Sequence, residues 1–261
     1  VNKLNCYLCA MKQLLIIILF GISNLVFSQI DLPYKVGEYT VYKVSFGAIN
    51  VGYAELEVKE IISANNKPSF HVIGKGRTAP FFDWFFKVRD VYETFIDTAT
   101  LLPLVFNRQV NEGGHVISQH YNFNHNNSNV ATKDSTFNIS IETQDMLSAF
   151  FYARTLNKNS VINGSSFYVP IFMDDENYFL EIKYLNNEII KTKWGKVDCM
   201  VFKPIMQEGR VFEDEEEMKI WITDDENHLL LRVEAKIWVG LIKAVLDDYK
   251  ELKHPLSIIG E

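Results

Sequence analysis

A surplus of positive charge is the first thing this sequence lacks. Lys and Arg number 26 against 33 Asp and Glu, a formal net charge of −7. That balance gives no broad cationic footprint for nucleic acid. Cysteine is scarce, with three in 261 residues, which excludes a disulfide-stapled miniprotein. Thirteen Gly and seven Pro are too few for a collagen or a low-complexity tail. Beyond the N-terminal region no long apolar run occurs, so no other segment is expected to span a membrane as a helix. What is plentiful is apolar and aromatic: 48% hydrophobic residues, with 19 Phe and 12 Tyr, enough for a substantial core.

The N-terminal region reads as an address. Lys12 precedes the uninterrupted run Leu14-Leu15-Ile16-Ile17-Ile18-Leu19-Phe20, and Val26-Phe27-Ser28 follows. A positive start, a short apolar core and small residues at the cleavage positions describe a secretory signal peptide. Met11 is the expected start, residues 1–10 an upstream extension, and Gln29 the mature N-terminus. The Cys6-x-x-Cys9 pair would be lost with the signal, leaving Cys199 as a lone thiol on a strand with Val197 and Val201. A periplasmic or secreted protein is the expectation, its mature part 29–261 a single β-rich domain.

Most of that part alternates with period two. Thr40, Tyr42, Val44 and Phe46 share one face, and Ala54, Leu56 and Val58 another, with residues 47–52 as the turn between them. Further strands are expected over 70–74, 88–96, 104–111 and 116–123, with Asn65-Asn66-Lys67-Pro68 and Gly113-Gly114 as turns. Strands resume at Phe167, and one long hairpin is expected from 220–223 and 229–239. The pattern predicts a mainly β fold. It is a curved antiparallel sheet, an incomplete β-barrel or a two-layer β structure.

One buried helix is expected over about 144–155. Thr143 suits an N-cap, Asp145 the positive helix start and Arg154 the negative end, and 157–159 stops it. Its apolar residues cover most of the circumference, so Phe150 is expected in the core.

Catalytic motifs are missing. There is no Gly-x-Ser-x-Gly elbow, no Ser-x-x-Lys set and no phosphate loop. His115, His120 and His125 are five apart, an odd offset that alternates faces on a strand. The acidic run 213–217 and the two Asp-Asp-Glu-Asn turns, 174–177 and 224–227, lack calcium-loop spacing. Neither a metal nor a cofactor is expected. The unusual segment is Ala79-Pro80-Phe81-Phe82-Asp83-Trp84-Phe85-Phe86, five aromatics in six residues between Arg77 and Lys87. One strand or helix face cannot hold all these rings. They form either a plug at one end of the sheet or an apolar lip that contacts a ligand or a partner.

Several phrases carry a family resemblance. They are Val41-Tyr42-Lys43-Val44-Ser45-Phe46-Gly47, Val88-Arg89-Asp90 with Tyr92-Glu93-Thr94, and Gln144-Asp145-Met146-Leu147-Ser148-Ala149-Phe150. Trp221-Ile222-Thr223-Asp224-Asp225 and Gly240 with Lys243-Ala244 follow. The chain resembles the DUF3108 family of unknown function in its exported, Bacteroidetes form. The resemblance implies a β-rich periplasmic protein and transfers no catalytic residue. The expected function is a non-catalytic module that binds a lipid, another apolar ligand or a cell-envelope protein, with Phe81, Phe82, Trp84 and Phe85 as the contacts. The alternatives are a hydrolase of envelope glycan or lipid, which needs two acids about 5–10 Å apart, and a purely structural β protein with a filled interior.

Overall fold

Alternating apolar residues build long strands here, and the strands build one sheet. The computed structural model describes residues 31–156, 166–205, 218–237 and 240–260. The export signal with its cleavage site, the helix stop at 157–159 and the acidic run 213–217 lie outside them. Fourteen strands are described: β1 Tyr39–Phe46, β2 Ile49–Ala64, β3 Lys67–Thr78, β4 Arg89–Asp97, β5 Pro103–Glu112, β6 His115–Asn124, β7 Asn129–Ala131 and β8 Thr136–Asn138 precede the helix α1, Met146–Arg154. After it come β9 Ser166–Met173, β10 Glu176–Thr192, β11 Gly195–Ile205, β12 Met218–Thr223, β13 Leu230–Ile237 and β14 Gly240–Lys250. All belong to the unit Leu32–Glu261.

Neighbours along the chain pair antiparallel except β8 and β9, which flank α1, and β1 pairs β14. The sheet order is β8-β7-β6-β5-β4-β3-β2-β1-β14-β13-β12-β11-β10-β9. The edges β8 and β9 share no ladder, so the sheet is curved but not closed into a barrel. It nevertheless wraps far enough for its ends to touch. Phe172 of β9 meets Tyr121 of β6 at 5.1 Å and Phe137 of β8 at 5.4 Å between ring centroids. Asp174 accepts from Arg108 (2.9 Å) and Gln119 (3.0 Å). The outer edge of β9 is covered at one point by Gln144. Its N–H donates to Pro170 O (2.8 Å) and its O accepts from Phe172 N (2.9 Å). Covering a free edge removes a template for pairing with another chain.

The turns are tighter than the sequence suggests. Only Gly47 and Ala48 separate β1 from β2, so the expected turn over 47–52 is mostly strand. Asn65 and Asn66 (φ 47° and 62°) make the next turn alone, and Pro68 lies inside β3. Two successive left-handed residues give a turn whose twist matches the strands, and Asn tolerates that region. β13 runs to Ile237, and the last two residues of the expected strand, 238–239, lie outside the described residues. The two Asp-Asp-Glu-Asn turns differ. Asp174 and Asp175 (φ 51° and 62°) make a two-residue hairpin, whereas the second turn is organised by its side chains. There Asp225 accepts from Thr223 Oγ1 (2.6 Å), Asn227 N (3.0 Å) and Ser257 N (3.1 Å).

Helix α1 begins two residues later than expected, because Asp145 rather than Thr143 is the N-cap. Its carboxylate accepts from Leu147 N and Ser148 N, both at 2.8 Å, and Ser148 Oγ accepts from Asp145 N (2.9 Å). This reciprocal capping box satisfies donors that no carbonyl can reach. Thr94 on β4 donates to the other oxygen at 2.6 Å, which ties the helix start to the sheet. At the far end Arg154 is buried against Glu38, with Nη1 donating to Oε1 and Nη2 to Oε2 (3.1 Å). The same guanidinium donates to Asn227 O (3.0 and 3.2 Å) and Pro33 O (3.3 Å). Asn227 in turn donates to His254 O and accepts from His254 N, both at 3.0 Å.

Breaking this pair one partner at a time strands a buried charge. Arg154→Met should lower unfolding free energy by about 3–5 kcal/mol. Adding Glu38→Leu should recover at least about 1 kcal/mol as a positive coupling in a double-mutant cycle. Urea unfolding checks both, and a single-site effect below about 1 kcal/mol would contradict the burial argument.

Asp145 gives a pH signature. Complete burial pushes its carboxyl from an ordinary 3.8 up to about 6, although the hydrogen bonds from Thr94, Ser148 and Leu147 favour the ionised form. Folding therefore takes up a proton. The associated stability is complete below pH 3.8 and is lost as pH rises through about 6. Asn also caps helices well, so Asp145→Asn should fold and show a flatter stability profile across that window. A profile identical to wild type, by urea midpoints at several pH values, would refute the assignment.

Candidate functional site

Two stripes run along α1, and they do different things. Leu147, Phe151 and Arg154, at i, i+4 and i+7, are buried. Phe151 stacks edge-on against Tyr34 at 5.1 Å and joins the core of Val58, Val72, Phe106 and Tyr121. Met146, Ala149, Phe150 and Ala153, at i, i+3, i+4 and i+7, face a cavity of about 360 Å³. Phe150 is thus only partly buried, a correction to the expectation that it sits in the core. The stripe that includes Leu147 and Phe151 packs on the sheet, so Phe151 takes the core place and Phe150 borders the cavity.

The opposite wall is the inner face of β9–β12. Phe167, Ile171 and Met173 come from β9, Leu180 and Ile182 from β10, Met200 and Phe202 from β11, Ile220 and Ile222 from β12. On β11 these alternate with Val197, Cys199 and Val201, which belong to a separate core with Trp221 and Leu246. That strand is therefore buried on both faces. Cys199 is wholly inaccessible, and burial pushes its thiol up to about 12, which makes it inert.

Space exists because Ala149 and Ala153 are small where a Leu would fill it. The volume falls in the range of small-ligand sites and exceeds the roughly 150 Å³ at which an apolar cavity already accepts a benzene-sized guest. The methionines at 146, 173 and 200 give the wall unbranched, adaptable side chains. Polar groups at the boundary are few. Arg154 is engaged with Glu38, and His228 donates through Nδ1 to Arg154 O at 2.6 Å. Among the described residues no Asp or Glu lines the cavity. Met146 and Phe179 are partly solvent-exposed, so the cavity reaches the surface beside them.

The aromatic segment lies elsewhere. Phe81, Phe82, Trp84 and Phe85 occupy the β3–β4 connection, and none of them lines the cavity. Residues 80–82 form a single 3-10 turn. Asp83 anchors the loop. It accepts from Thr78 Oγ1 (2.6 Å) and from both Arg89 terminal nitrogens (3.0 and 2.6 Å), which hold its carboxyl down to about 2. Phe86 lies over Gly113, where a Cβ would come within 2.4 Å of the ring. Phe81, Trp84 and Phe85 are 75%, 81% and 77% exposed.

The histidines do not converge. His120 bonds to Asn107 (2.6 Å) and Asn122 (2.8 Å), and the two ring nitrogens of His125 lie against the carbonyl oxygens of Ile141 and Pro103, both at 2.9 Å. Glu112 is raised by partial burial and by the neighbouring Asp90.

The fold is similar to that of a β-barrel-like protein of the domain of unknown function DUF1849 from Brucella abortus. The TM-score is 0.53 at 10% identity, over 82% of this chain and 97% of that one. A DUF1089 family protein from Pseudomonas aeruginosa aligns at TM-score 0.41 and 11% identity, over 70% and 89%. A Bacteroides fragilis protein described as exported, with a YmcC-like fold, aligns at 0.34 and 11%, over 84% and 98%. At these values only the first bears on this chain, and on its fold alone. Among curated proteins no sequence matches. Residues 41–247 match the model of "Protein of unknown function (DUF3108)", a stretch running from β1 to β14, and the chain belongs to that family.

Proposed function

We propose that this protein is an exported, non-catalytic module that binds an apolar ligand in the cavity beneath α1. The observation that carries the reading is the cavity: about 360 Å³ of space walled by Met, Phe, Ile and Leu side chains and two alanines. An empty apolar cavity of this size forfeits dispersion contacts on every wall, and one methylene more on the helix would fill part of it. Keeping Ala at both 149 and 153 maintains room for a guest. The lining supports binding over carboxylate hydrolysis, because no Asp or Glu from the described residues faces the bound position. Export rests on the Lys12 and Leu14–Phe20 pattern of the sequence.

Filling the cavity is the test. Ala153→Phe should weaken an apolar fluorescent probe at least about tenfold while the Tm stays level or rises, as cavity-filling changes usually do. Phe150→Ala should enlarge the space and favour a bulkier probe. Native mass spectrometry of protein purified from its own envelope should find a retained apolar molecule. Probe affinity unchanged in Ala153→Phe would remove the cavity from the reading.

A further inference from the structure

We propose that the β3–β4 loop is a membrane-docking tip, which seats Phe81, Trp84 and Phe85 in the interface of an anionic lipid bilayer. Three large rings are held almost fully in water within six residues, whereas single exposed apolar residues are the ordinary case on a protein surface. The loop is also built rather than slack. Phe82 N donates to Ala79 O (2.8 Å), Phe85 N and Phe86 N donate to Phe82 O (3.0 and 2.8 Å), and Val88 N donates to Thr78 Oγ1 (3.1 Å). With the Asp83–Arg89 fork, these bonds fix the rings before any partner arrives, so docking need not order them.

Neighbouring turns extend the apolar tip. In an antiparallel meander the β1–β2, β3–β4 and β5–β6 connections emerge at one end of the sheet. Here they are joined directly, Ala79 N to Val51 O and Gly113 N to Lys87 O, both at 2.9 Å. Ile49 and Val116, at the strand ends beside the flanking turns, are exposed as well.

Charge selects the occupant. The chain is acidic overall, and of the four cations in residues 75–89 Arg77 pairs with Glu55 (3.4 Å) and Arg89 with Asp83 (2.6 Å), which leaves Lys87 beside the rings and Lys75 further along β3. Aromatic rings at headgroup depth with cations beside them are the chemistry of an interfacial anchor on anionic lipid. An exposed apolar tip flanked by lysine suits a bilayer, which yields to it. A protein partner would have to offer a matching pocket. The proposal does not depend on the cavity being occupied.

Flotation of the purified protein with vesicles of phosphatidylethanolamine and phosphatidylglycerol tests it, beside phosphatidylcholine vesicles. Wild type should float with the anionic vesicles, less with the neutral ones, and less at high salt. Trp84→Ser and Phe85→Ser should each reduce flotation at least ~5-fold with the Tm unchanged. Lys87→Glu should reduce it on anionic vesicles only. Trp84→Phe should keep flotation but lose the vesicle-induced blue shift, which separates Trp84 from Trp194, Trp221 and Trp238. Four results would overturn the proposal: no flotation on anionic vesicles, flotation equal in the Ser variants, a falling Tm in those variants, or a loop-dependent dimer in solution, which would make a second copy the occupant.

Discussion

A guanidinium shut away from water needs every one of its donors met, and Arg154 meets them only if four distant segments converge. Glu38 supplies the charge and Pro33 a carbonyl from the chain entering β1, and Asn227 brings another carbonyl from the β12–β13 turn. Asn227 then holds the segment after β14 through His254. The pair itself contributes little net energy, since removing two charges from water offsets most of their attraction. Its value is geometric. An imperfect arrangement leaves a buried charge uncompensated, so alternatives in which α1 slides or rotates are strongly disfavoured. Helix position in turn sets which side chains face the core and which face the cavity.

Local features were legible in the sequence, and distant ones were not. The period-two runs located most strands within a few residues. The Asn65-Asn66 and Gly113-Gly114 pairs marked hairpins because left-handed backbone favours few residue types. The helix was visible as a break in that alternation. Its cap is ambiguous from sequence, because Thr143 and Asp145 are both good caps in isolation. Only the contact from Thr94, 51 residues earlier, and the reciprocal Ser148 bond settle it. Arg154 read as a cation suited to a helix end, with nothing nearby to flag burial. Its partner Glu38 is 116 residues away.

The candidate site divides the same way. Five aromatics in six residues stand out in any reading of the chain, and the structure displays four of them to solvent, Phe86 less than the others. The cavity leaves no comparable mark. Its helix stripe, Met146, Ala149, Phe150 and Ala153, is an ordinary amphipathic spacing, and two alanines on a helix mean only good propensity. They become space once β9–β12 stand opposite, and those strands follow the helix in sequence. The cavity is therefore a relation between elements.

How much an interior can hold is usually decided in β proteins by strand number and stagger, which set the diameter of a closed barrel. This sheet is not closed, and its two ends meet through Phe172, Asp174 and Gln144. The curl brings more strand surface inward than side chains alone fill, and α1 occupies the difference. Where the helix carries Leu147 and Phe151 the interior is solid, and where it carries Ala149 and Ala153 it is open. Interior volume is thus written into one nine-residue helix. A single substitution there alters capacity without disturbing a strand ladder. The same change made on β11 would disturb two cores at once, because that strand is buried on both faces.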